Sequence, residues 1–183
     1  TLPDWSYGYS LDMTASTMVA ACKFNDIFKS DEAEKLTEKC LALFETLIGD
    51  SDHSQIANGL SYSRVPEGTA SEASVGMAIW ALGYVVWRGP RHLTAAASEM
   101  LHQVLPPTPM RSSRGACYAA LGASNYLRSF PGAAAIKRFM NVQLETVEKC
   151  VAQPDWHVSW EGGDWPIAAQ LFCIASNQLK NTQ

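Results

Sequence analysis

Four carboxylates stand where acid–base chemistry could be done. Asp12, Glu72, Glu161 and Asp164 each lie at or just before the start of a strongly apolar helical stretch. The loops around them also carry Tyr9, Tyr62, Arg64, Arg114, Trp156 and Trp160. Cleaving a glycosidic bond takes two carboxyl groups across a sugar ring, about 5–5.5 Å apart for retention and about 6.5–9.5 Å for inversion. An acid at a helix start has a plainer use too, because the unsatisfied N–H groups and the positive end of the dipole favour it there. Asp164, next to Trp165-Pro166, and Glu72, after Ser71, fit that plainer use. Glu161 sits in Trp160-Glu161-Gly162-Gly163 with no helix to cap, which makes it the best single candidate for a ligand-facing acid. The catalytic set read from the sequence is Glu161 with Glu72 or Asp12.

Aromatic and cationic residues supply the rest of a binding face. Trp156 and Trp160 lie in polar loops, where an indole can stack on the apolar face of a sugar. Arg64 and Arg114 can grip a carboxylate or phosphate bidentately, or pair with Glu67 and Glu72. With Tyr9, Tyr62 and Asp164 they form the expected substrate-binding set. Trp80 and Trp87 lie within an apolar helix and read as core. His157, near Asp155 and Glu161, is a further acid–base candidate. No His lies at ligand spacing from a Cys or a second His, so no metal site is expected. Nucleophile elbows, Gly-rich phosphate loops and Asp-rich magnesium motifs are missing, and no cofactor is expected.

The elements that must position these residues are helices of two kinds. Leu11–Phe28, Val75–Trp87, Arg114–Leu127 and Trp165–Leu179 are almost wholly apolar, as a helix buried on all sides must be. Asp31–Ile48, Leu93–Leu105 and Ala133–Val151 are apolar on one side only. In the first of these Leu36, Cys40, Leu43, Phe44 and Leu47 recur at spacings of three and four, while Glu32, Glu34, Lys35, Glu38 and Lys39 fill the other side. Strand signals are nearly absent, so the fold class is all-α. Alternation of the two helix kinds predicts an inner row backed by an outer one, an arc of about seven helices in one domain over residues 1–183. Links from inner to outer helices are short, and those from outer to inner are long and chemically rich. In an up–down arrangement the long links all emerge at one end, which predicts a single face that gathers the candidate site.

Composition narrows the class. A chain of 183 residues with 47% hydrophobic and 17% charged residues suits one well-buried core. A net charge of −4 gives no basic footprint for nucleic acid. No apolar run reaches the roughly 20 residues of a membrane span. Cys22, Cys40, Cys117, Cys150 and Cys173 are odd in number and lie in apolar helical faces, which points to buried free thiols and a cytoplasmic location. Thr1 in place of an initiator Met points to a segment of something longer.

The motifs, taken in order, resemble a known family. They are Gly8-Tyr9-Ser10-Leu11-Asp12, then Ser61-Tyr62-Ser63-Arg64, then Ser71-Glu72-Ala73-Ser74 running into Ala78-Ile79-Trp80-Ala81-Leu82-Gly83. Ser112-Ser113-Arg114-Gly115-Ala116 and Ser159-Trp160-Glu161 with Asp164 follow. The series is similar to the helical toroid domain attached to, or encoded near, bacterial glycosyltransferases. That resemblance implies an α/α toroid and an association with carbohydrate. The chain departs from the family's pattern at Met13, Thr14 and Ser16, where the family has Asp, Asn and Arg. It departs again at Ala73, Val75 and Met77, where the family has Asp, His and Arg.

Two functions therefore stand side by side. One is a carbohydrate-active domain that cleaves glycosides with the carboxylates named above. The other is a non-catalytic sugar-binding or scaffolding module that docks on a partner such as a glycosyltransferase. The expected ligand is a carbohydrate or similar polyol. A protein partner or a homodimer is expected to cover whatever apolar flank the incomplete arc leaves open.

Overall fold

The computed structural model describes residues 8–49, 56–153 and 170 of the 183. The expected helix Trp165–Leu179 lies outside them, as do Trp156, Trp160, Glu161 and Asp164. Six α-helices dominate the described residues: α1 Leu11–Phe28, α2 Asp31–Ile48, α3 Glu72–Arg88, α4 Thr94–Val104, α5 Ser113–Ser129 and α6 Ala134–Val151. A 3₁₀ turn, Arg91–Leu93, leads into α4.

Serine starts most of these helices. Ser10, Ser30, Ser71 and Ser112 stand in extended backbone at the N-caps of α1, α2, α3 and α5. Each hydroxyl accepts the N–H three residues on, from Met13, Ala33, Ser74 and Gly115. The capping satisfies one of the donors that a helix start leaves open. Lys29, with φ 53°, ends α1, and Gly49, with φ 60°, ends α2.

A small antiparallel sheet corrects the expectation of almost no strands. β1 Tyr9–Ser10 pairs with β2 Ala57–Leu60, and β2 pairs with β3 Pro66–Thr69. These strands contain Gly, Pro, Asn and Glu and are at most four residues long, so neither β propensity nor alternation marks them. Position holds them instead. Gly8 (φ 47°) lies so close to Leu60 that an added Cβ would strike its carbonyl. Leu60 itself is buried in the core.

The inner helices run parallel. Gly76 and Gly83 of α3 meet Gly115 and Gly122 of α5 in matching order, and a Cβ at any of the four would strike the other helix's backbone. Asp26 near the end of α1 reaches Arg88 at the end of α3 at 3.7 Å. Arg128 near the end of α5 lies 4.1 Å over the Trp87 ring near the end of α3. The order of the row is α1–α3–α5, and α2, α4 and α6 pack on α1, α3 and α5 respectively. Between Glu72 and Arg88 most of α3 is buried, and between Gly115 and Tyr126 all of α5 is. The outer helices bury one side each. Helix α1 departs from the expected all-round burial: Met13, Phe24, Ile27 and Phe28 are exposed. Trp80 and Trp87 are half-buried rather than core. Among the described residues no helix is long and apolar enough to cross a membrane.

Candidate functional site

Because α1, α3 and α5 are parallel, their starts share one end of the row. Asp12, Glu72 and Arg114 therefore stand in the first turns of three neighbouring helices, with the sheet beside them. None of the three grooves lined by described residues holds all three of them, however. A groove of about 920 Å³ runs between α1 and α2 under the sheet edge. Tyr9 and Arg64 line it together with Met13, Thr14, Thr17, Leu36, Lys39, Leu43 and Thr46. A shallow cleft of about 570 Å³ lies between the start of α5 and the end of α6 and holds Arg111, Arg114, Thr146 and Lys149. Glu72 borders a third, smaller cleft of about 130 Å³ with Ile56, Val75, Val104 and Met110.

The two described carboxylates are committed to helix starts. Asp12 Oδ1 accepts from Ser10 Oγ at 2.6 Å and from the Met13 N–H at 2.8 Å. It thus neutralises the positive end of its own helix. Glu72 reaches outward: its Oε2 accepts from the N–H groups of Arg111 at 2.8 Å and Ser112 at 2.6 Å. One carboxylate in α3 therefore ties down the loop that starts α5, at the end where the glycines bring the two helices together.

Arg64 occupies left-handed backbone (φ 63°) at the tip of the β2–β3 hairpin, where its N–H donates to the Ser61 carbonyl at 2.8 Å. Tyr9, Tyr62 and Arg64 are all exposed. The hydroxyl of Thr14 is turned back onto the Ser10 carbonyl at 2.7 Å. Among the described residues that line the large groove there is no carboxylate; its polar groups are two cations, Lys39 and Arg64, with Tyr9 and threonines.

Lys39, Thr17 and Thr46 were not legible as site residues: Lys39 reads as part of the solvated side of α2, Thr17 lies in a stretch expected to be buried on all sides, and Thr46 carries no ligand signal. Leu36, counted in the apolar stripe of α2, is in fact exposed at the groove. A second cluster was also missed. Glu34 and Glu38, one turn apart on α2, face His92 from the turn before α4. His92 Nε2 lies 2.8 Å from Glu38, while Nδ1 lies 3.6 Å from Glu34. The two ring nitrogens point to different carboxylates, and the contact joins two hairpins. The spacing of the glutamates was visible, but nothing in the chain announced a histidine 54 positions away.

The thiols are poor nucleophiles. Burial pushes Cys22 up from 9.0 to about 11, against the opposing hydrogen bond of Thr37, and burial raises Cys40 as well. At neutral pH both stay protonated, and the thiolate is the reactive form. Cys22, Cys40, Cys117 and Cys150 are thiols outside any disulfide.

No protein-family model, curated protein or solved structure gives a significant match to this chain.

Proposed function

We propose that the protein is a non-catalytic carbohydrate-binding module, its helix row belonging to a toroid-like arrangement and its ligand seated in the α1–α2 groove. The observation that carries this reading is the division of labour among the polar groups. Asp12 Oδ1 and Glu72 Oε2 are taken up at helix starts, whereas the groove offers an aromatic ring, two cations and hydroxyls. A ring such as Tyr9 packs on the C–H face of a sugar. Arg64 and Lys39 favour a sugar bearing a carboxylate or phosphate. Glycoside cleavage, the competing reading, needs two free carboxyl groups across the ligand, and Glu161 and Asp164 lie outside the described residues. Buried thiols outside any disulfide suit a reducing compartment and support a cytoplasmic reading.

A glycan array that includes acidic and phosphorylated sugars tests the assignment. Binding is expected among the anionic glycans, weakened at least about tenfold by Arg64→Ala and by Tyr9→Ala. Retained binding in both variants, or hydrolysis that Glu161→Gln abolishes, would refute it.

A further inference from the structure

Helix α1 ends the row of described inner helices, and its outward face carries an apolar stripe whose Met13 and Thr17 also border the α1–α2 groove. Met13, Thr17, Ala20, Phe24 and Ile27 recur at spacings of four and three, the period of a helix–helix seam. Met13 is 68% exposed, Phe24 50%, Ile27 71% and the adjoining Phe28 63%. Thr17 and Ala20 are exposed as well. The rings of Phe24 and Phe28 lie 4.5 Å apart, packed on each other. Large apolar side chains gathered in one exposed patch mark an interaction surface.

We propose that this stripe is a two-fold interface between two copies of the chain, with α1 lying antiparallel on the α1 of its partner. The stripe is self-complementary in that arrangement. Its large residues stand at the two ends and its small ones in the middle. With the axis beside Ala20, Met13 faces the partner's Phe28 and Ile27, and Thr17 faces the partner's Phe24. Ala20 meets the partner's Ala20, so the helices can approach closely. Asp12 in the first turn comes level with the partner's Lys29 just beyond the last. Among the described residues Lys29 pairs with Asp26 at 3.7 Å, an exposed contact worth little on its own. Each contact occurs twice by symmetry, and the two helix dipoles oppose favourably. A parallel pair would instead set Phe24 against Phe24 and Lys29 against Lys29. The complementarity of size and charge thus selects a second copy, in one orientation.

The test is sedimentation of the full chain over a concentration series, with glycan binding measured separately. The mass is expected to rise from 20.0 kDa toward double that value. Ile27→Glu and Phe24→Glu, both at exposed positions, should weaken pairing at least about tenfold while leaving the circular dichroism and melting temperature unchanged. Ala20→Cys should be joined to its counterpart by a short bismaleimide. The control Ala96→Cys, exposed on α4, should not be joined. A monomer at every concentration, or a dimer indifferent to Ile27→Glu, overturns the proposal. If the glutamate variants fail to fold, the cross-link decides: its absence at Ala20 overturns the interface, and its presence there but not at Ala96 supports it. Loss of glycan binding in Arg64→Ala or Tyr9→Ala, which lie outside the stripe, bears on the groove and not on this seam.

Discussion

A carboxylate that accepts two backbone N–H bonds from the loop that starts another helix has a structural task, and Glu72 is such a group. Replacing it with alanine should lower stability by about 1–2 kcal/mol, the usual worth of a cap, and leave glycan binding in the groove unchanged. Chemical denaturation read beside the binding assay separates the two effects. Undiminished stability would show that the contact is incidental. Cys22 supplies a prediction in pH. Its folded value of about 11 lies above the ordinary 9.0. The folded state thus holds the proton longer than the unfolded chain does, so stability is intact below pH 9 and falls as pH rises toward 11. The loss is on the order of 2 kcal/mol, and Cys40 and Tyr84, also raised by burial, act in the same direction. Melting temperature followed from pH 7 upward should fall above pH 9, less steeply in Cys22→Ala. An equal slope in both proteins would assign the effect elsewhere. Sequence placed Glu72 at a helix start and left open what it faced. Local spacing shows that an acid follows a serine cap, but the donors from Arg111 and Ser112 arrive from 39 and 40 positions away.

The glycines of α3 and α5 decide how closely two elements meet. Gly76, Gly83, Gly115 and Gly122 repeat at seven-residue intervals in both helices, and each backbone lies where the other's Cβ would stand. Gly83→Ala gains about 1 kcal/mol of helix propensity and forces the helices apart. Overpacking of this kind costs about 3 kcal/mol or more when backbone is the obstacle. A net loss of at least about 2 kcal/mol is expected. Gly132→Ala, with nothing within 4 Å of the new methyl, should stay within about 0.5 kcal/mol of the parent. If the two variants melt alike, the close packing is not what holds the row. The close helix approach was legible, because four glycines inside apolar helical runs have few other uses. The sheet was not legible: its strands are short, polar and rich in Gly and Pro, and they form because the helix starts on either side bring them together. The exposed side of α1 was hidden for a related reason, since an apolar face looks the same in sequence whether this chain covers it or another does.

Across the whole molecule, burial is graded along and through the row. Helix α3 touches α1, α4 and α5, whereas α6 packs chiefly on α5 and α2 chiefly on α1. Residues of α3 and α5 are buried on nearly every side, while α2 and α6 keep a charged face to solvent. In a stack of hairpins each unit is stabilised mainly by its neighbours, so local opening is easiest where a unit has fewest of them. Amide exchange followed by mass spectrometry should therefore find the slowest amides in α3 and α5, with α2 and α6 opening first. Exposed contacts such as the ion pair of Arg88 with Asp26 and the hydrogen bond between His92 and Glu38 tie adjacent hairpins together. Pairs this exposed add at most about 1 kcal/mol and fade with salt. Raising the ionic strength should leave the order of exchange unchanged, because buried apolar area and the glycine contacts set it. Uniform exchange across all six helices would mean that the row opens as one unit and that its centre holds no special stability. Exchange fastest in α3 would contradict the packing outright.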